Sequence, residues 1–131
     1  MKKKVEILAP AKNLYQGMAA INAGADAVYI GAPQFGARTN ATNPVEDIAE
    51  LVRYAHLFKA QVFVVLNTIL YDNELDTCQK LIHELYHIGV DALIIQDMAI
   101  MEMDIPPIVI HASTQANNRD PKHVKFLADA G

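Results

Sequence analysis

Short runs rich in β-branched residues alternate with longer amphipathic stretches five times along the 131 residues. That alternation is what a chain shows when it lays parallel strands side by side and returns between them through helices. The runs fall at about residues 5–9, 27–31, 61–67, 92–96 and 108–113. An internal repeat reinforces them: Gly24-Ala25-Asp26-Ala27-Val28-Tyr29-Ile30 is echoed by Gly89-Val90-Asp91-Ala92-Leu93-Ile94-Ile95, each copy ending a helix and launching a strand.

Helix signals fill the gaps. Asn43 is placed as an N-cap with Pro44 at the first helical position and Glu46 two further on, and Asp120-Pro121 repeats the arrangement. Asn13 and Asp72 are expected to cap two others. Over residues 74–88, Leu75, Cys78, Leu81, Ile82, Leu85 and Ile88 share one face, and Gly89 stops the helix.

The expected fold class is therefore α/β: a parallel βα-repeat, partly TIM-barrel-like, of about five units. A complete eight-unit barrel takes about 250 residues. The chain also closes on a helix end plus Gly131, the glycine that twice precedes a strand, so a further strand is expected after it. Residues 1–131 then read as the N-terminal part, a fragment, of a barrel catalytic domain. The competing fold is a doubly wound open sheet, disfavoured because no strand runs into a glycine-rich dinucleotide turn.

Composition narrows the setting. Apolar residues at 52% against 20% charged give a globular balance rather than a disordered one. The net charge of −4 supplies no global attraction to phosphate backbones or anionic membranes. The apolar run behind Lys2-Lys3-Lys4 contains Glu6 and Pro10, so it is no signal peptide, and no run is long enough to span a bilayer. One cysteine, Cys78, permits neither an internal disulfide nor a cysteine metal cluster within this chain. A cytoplasmic protein without membrane association is expected, and Lys2 to Lys4 read as a solvated terminus.

Parallel barrels do their chemistry where strands end. Here those ends are polar: Lys12 follows the first, Arg38 lies in the loop after the second, Asn67 and Thr68 end the third, Gln96 and Asp97 the fourth, and Ser113, Thr114, Gln115 and Asn117 the fifth. Period-two alternation turns Tyr29, Asn67, Gln96, His111, Ser113 and Gln115 to one inner face. These six and Arg38 are the candidate ligand-binding residues, the alternative being a satisfied structural layer of the kind expected for Glu6. Arg38 suits bidentate binding of a carboxylate or phosphate, or is a solvated surface residue.

Three apparent motifs dissolve on inspection. His111 and Ser113 on one strand face stand about 6–7 Å apart, too far for a nucleophile and its base. His83-Glu84-Leu85-Tyr86-His87 matches a zinc-protease pattern, but with the apolar stripe inward both histidines face solvent beside Asp76 and Lys80. No metal site is expected there. Gly31 to Gly36 has P-loop spacing without the Lys-Ser/Thr pair, and Met98, Met101 and Met103 read as packing.

Together, Glu6-Ile7-Leu8-Ala9-Pro10-Ala11, Gly24 to Gly31, Phe35-Gly36-Ala37-Arg38, Gly89 to Leu93 and His111-Ala112-Ser113-Thr114-Gln115 resemble the N-terminal region of peptidase family U32 almost end to end. Asn67-Thr68-Ile69-Leu70, Gln96-Asp97-Met98 and Asp104-Ile105-Pro106-Pro107 resemble its branch that installs 5-hydroxycytidine in large-subunit ribosomal RNA. The resemblance implies a barrel-like catalytic region and downstream cysteines holding an iron-sulfur cluster, absent from this chain. It implies either prephenate-dependent, oxygen-independent hydroxylation of RNA or the older description as a collagenase-like protease. RNA or a small anionic ligand is the implied partner of the parent protein, the chain alone is expected to be inactive, and its cut sheet edge is expected to favour self-association.

Overall fold

The computed structural model describes residues 4–131. Five strands form, β1 (Leu8–Ala11), β2 (Ala27–Gly31), β3 (Gln61–Leu66), β4 (Ala92–Ile95) and β5 (Val109–Ala112), all parallel and in sequential order β1-β2-β3-β4-β5. Between them run α1 (Leu14–Asn22), α2 (Val45–Leu57), α3 (Leu75–His87) and the short α4 (Ala99–Glu102), with α5 (Pro121–Ala130) after β5.

The strand sequence is apolar on both faces because both are covered in different ways. Val28, Ile30, Val62, Val64, Leu66, Leu93 and Ile95 join the main core with Leu14 and Ile21 of α1, Ile48, Leu51, Val52 and Ala55 of α2, the α3 stripe and Ile100 of α4. Alternate residues Ala27, Phe63 and Ala92, with Tyr29 and Ile94 packed against them, make a separate layer on the opposite face. A doubly wound sheet reverses its strand order and carries helices on both sides. A sequential sheet with α1 to α4 on one side is the wall of a β/α barrel instead.

The repeat supplies the device that sets the register. Gly24 (φ 103°) and Gly89 (φ 92°) end α1 and α3 in the left-handed region that a side chain would strain. Two residues later each aspartate makes a reciprocal pair with the neighbouring strand. The Asp26 N–H donates to the Ile7 carbonyl at 2.9 Å, and the Ile7 N–H donates back to the Asp26 carboxylate at 2.9 Å. Asp91 does the same with Val62, at 3.0 and 2.8 Å, and also meets His56 Nε2 at 2.9 Å. Leu8↔Ala27 and Phe63↔Ala92, the next residue pairs along, open the two ladders.

Several expectations are corrected. Strand β1 begins at Leu8 rather than residue 5, because the backbone of Ile7 is taken by the Asp26 clamp. Glu6 is exposed and belongs to no buried polar layer. Strands β3, β4 and β5 stop one residue short of the expected ends, and β5 starts one residue later, at Val109. Pro44, not Asn43, occupies the N-cap of α2. Asp72 sits in a 3-10 turn, and the end of that segment is closed by Glu74, whose carboxylate accepts the Tyr71 N–H at 2.9 Å. Asn13 and Asp120 cap α1 and α5 as expected, accepting from Gln16 and Lys122. Lys2 and Lys3 lie outside the described residues, while Lys4 pairs with Asp26 at 3.0 Å instead of standing free.

The Ile7 N–H and then the Lys4 ammonium hold the Asp26 carboxyl below its ordinary value. A depressed folded pKa contributes stability above the unfolded value, about 3.9, and loses it as pH falls through the folded value. Urea midpoints of wild type and Asp26→Asn should therefore differ at neutral pH and converge below about pH 4; a gap that widens with acid would contradict the clamp. Burial, with the Asp97 and Glu74 carboxylates adding to it, pushes the Cys78 thiol up to about 11. Mass spectrometry should find Cys78 unalkylated by iodoacetamide in the native state at pH 8 and fully alkylated in denaturant.

Candidate functional site

The mouth at the strand C-terminal ends is built by loops tied back onto the sheet. The segment 32–44 leaves β2 and folds over the end of β3. The Ala32 N–H donates to the Val65 carbonyl, the Ala37 N–H to Asn67 Oδ1 at 2.9 Å, and the Thr68 N–H and hydroxyl both to the Phe35 carbonyl at 3.2 and 3.1 Å. Phe35 takes φ 64°, a costly conformation for a residue with a Cβ, offset by its packing on the core and those two bonds from Thr68.

Asn43, 3% exposed, is the anchor of this loop. Its Nδ2 donates to the carbonyls of Lys12, Gly31 and Ala41 at 3.2, 3.2 and 3.1 Å. Two hydrogens serve three acceptors, so at least one is shared. The side chain that reads as a helix cap joins the exits of β1 and β2 to the loop. A Cβ on Gly31 would strike the Ala41 carbonyl oxygen, so only glycine lets the loop come this close.

The opposite wall follows β5. Ser113, also 3% exposed, accepts the Gln115 N–H at 3.1 Å and an Asn67 Nδ2 hydrogen at 3.4 Å, and Asn118 Nδ2 donates to its carbonyl at 2.8 Å. Asn67 thus bridges the two walls, its oxygen holding the loop and its nitrogen holding the β5 turn. Asp97 braces the β4 exit, accepting the Leu70 and Ala99 N–H groups at 2.8 and 2.9 Å.

Between these walls lies a cavity of about 680 Å³. Of the seven candidates it brings together Tyr29, Arg38, Asn67 and Gln115. Ser113 is buried behind the wall, Gln96 does not line the cavity, and exposed His111 stands edge-on to Phe63 with ring centres 4.9 Å apart. Lys12 lines the cavity beside Arg38, and no carboxylate does. Its place at the end of β1 was the available signal; the gathering with Arg38 required the fold.

Outside the mouth, His83 is half-buried rather than solvated: its Nε2 meets the Asp104 carbonyl at 3.0 Å, and Gln79 Nε2 donates to the same oxygen at 2.7 Å. His87 remains exposed. Among the described residues no three His, Cys, Asp or Glu side chains converge to hold a metal ion. Met98, Met101 and Met103 pack against the core.

The sequence model of peptidase family U32 matches residues 12–131. The 23S rRNA 5-hydroxycytidine C2501 synthase of Escherichia coli K12 is 57% identical over 98% of this chain, and tRNA hydroxylation protein P1 of Bacillus subtilis is 35% identical over 98%. The chain spans only 20% of the first relative's length and 32% of the second's. A U32 peptidase of known structure superposes with a TM-score of 0.74 at 10% identity, over the whole of this chain and 58% of its own.

Asn43→Ala should leave three carbonyls short of a donor, costing about 1–3 kcal/mol. The thermal midpoint should fall, and amide exchange should quicken across residues 31–43 and at Lys12. Unchanged exchange there would show that the loop is held without this side chain.

Proposed function

The chain belongs to peptidase family U32, and from that premise we propose that the protein is an RNA-modifying enzyme that hydroxylates cytosine at C5 in large-subunit ribosomal RNA. The observation that carries the reading is the 57% identity to the 23S rRNA 5-hydroxycytidine synthase across 98% of the chain, a span that includes every residue of the mouth. A tRNA hydroxylation protein among the relatives points to the same chemistry on a different RNA.

The mouth supports this reading over peptide hydrolysis. A serine mechanism needs a hydroxyl free to attack and a base in reach. Ser113 is buried with its oxygen engaged by Gln115 and Asn67, and His111 packs on Phe63. In the zinc-protease pattern, His83 meets the Asp104 carbonyl through Nε2 and His87 is exposed, away from the mouth. Tyr29, Arg38 and Gln115 are assigned as ligand contacts with Lys12 beside them, and Asn67 and Ser113 hold the walls they stand on. Gln96 and His111 remain outside this contact set.

Replacing C–H by C–OH is a two-electron oxidation that also needs an oxygen source. This chain's contribution is to bind and orient: amides, hydroxyls and two cations, without a redox group. Cluster ligation takes a set of thiolates. Cys78 is one thiol, buried among Leu81, Ile82 and Leu85 and held protonated, so these residues do not fit an iron-sulfur cluster; its cysteines would lie elsewhere in the protein. Among the described residues no helix is long and apolar enough to cross a membrane; the cytoplasm enters this reading only as the place where ribosomal RNA would be modified.

Mass spectrometry of ribosomal RNA from a deletion strain should show 5-hydroxycytidine lost from the large subunit and restored by the wild-type gene. Unchanged 5-hydroxycytidine overturns the proposal.

A further inference from the structure

The mouth combines cationic and aromatic side chains in one cavity. Lys12 and Arg38 line one cavity with no carboxylate in its lining, in a chain whose net charge is −4. The ion pairs among the described residues are Lys4 with Asp26, His56 with Asp91 and Lys125 with Asp129, all elsewhere. An anion entering this space would meet both cations and no carboxylate of the lining. Apolar surface in the same cavity comes from Pro10, Tyr29 and Val65, with Tyr29 half-buried on the inner face of its strand.

The polar rim is divided between scaffold and free groups. Asn67 is spent on Ala37 and Ser113, and Gln16 Oε1 accepts the Lys12 N–H at 3.0 Å. The Gln115 side chain and the far nitrogen of Gln16 remain to meet a ligand. A cavity of about 680 Å³ has room for a nucleotide. Enzymes that work on a base take it out of the stack and hold it on an aromatic face.

Resting on the RNA hydroxylation reading, we propose that this cavity is the seat of a single nucleotide swung out of the RNA. Its base lies on the Tyr29 ring, its 5′ phosphate sits between Lys12 and Arg38, and Gln115 reaches the edge of the base. The nucleotide is the occupant, rather than a free anion, because the cations share the cavity with an aromatic surface that an inorganic anion would leave uncovered.

Calorimetric titration of the intact protein with cytidine 5′-monophosphate, cytidine, inorganic phosphate and malonate tests this. The monophosphate should bind about tenfold or more tightly than cytidine or phosphate alone, a base stack and a phosphate contact each contributing at least that order. Lys12→Ala and Arg38→Ala should each weaken the monophosphate towards cytidine and leave cytidine unchanged. Tyr29→Leu should weaken monophosphate and cytidine alike and spare phosphate, and Tyr29→Phe should restore both. Lys12 and Arg38 are exposed, so their variants should keep the wild-type thermal midpoint. The seat is overturned if millimolar monophosphate shows no saturable binding, if cytidine binds as tightly, or if malonate displaces the monophosphate as well as phosphate does. Failure here with 5-hydroxycytidine still lost in the deletion strain would remove the seat and leave the reaction; binding as described with the modification unchanged would do the reverse.

Discussion

The aspartate clamp at the start of β2 and β4 is the constraint on which the other distances in the molecule depend. In a parallel sheet a one-residue slip turns every side chain to the opposite face. Asp26 exchanges two hydrogen bonds with Ile7, just before β1, and Asp91 two with Val62 of β3, so a slip would break both bonds of a pair together. With the register held, Tyr29, Phe63 and Ile94 face inward and Val28, Val64 and Leu93 face the helices. The clamps lie at the end of the sheet where the strands begin. Their effect is felt at the other end, where the register determines which residues arrive together.

At that other end the backbone is irregular, and side chains replace the ladder. Asn43 and Asp97 each satisfy main-chain groups of two different segments, and Asn67 joins the Ala37 N–H to the Ser113 hydroxyl, which is how a loop lies close over a sheet without leaving polar groups unpaired. The side-chain amides of Asn43 and Asn67 are spent in this way, while Lys12, Tyr29, Arg38 and Gln115 line the cavity.

Much of this was legible beforehand because it rests on local rules. Strand positions, the α3 stripe, the glycine stops and the Asn13 and Asp120 caps follow from periodicities of two and 3.6 and from backbone preferences of single residues. Readings failed where a side chain serves something distant in sequence. Asn43 has the form of a cap followed by proline, yet it reaches Lys12, 31 residues away. Asp26 reads only as part of a repeated helix-to-strand junction, but through Ile7 it shortens β1. His83 looks solvent-facing on a helical wheel that does not show the β4–β5 connection folding back to it.

By itself the sequence determined the class of fold, the order of its elements and the end at which polar residues collect, since each of these is a sum of near-neighbour preferences repeated along the chain. Tertiary structure alone decided which polar residues share a space. Tyr29, Arg38, Asn67 and Gln115 meet in one cavity with Lys12, while Gln96, His111 and Ser113, equally polar and equally close to strand ends, do not line it. The physical reason is that cavity membership depends on the path of two loops. Those paths are set by the few long-range hydrogen bonds of Asn43, Asn67 and Ser113, and no local pattern in the chain records them.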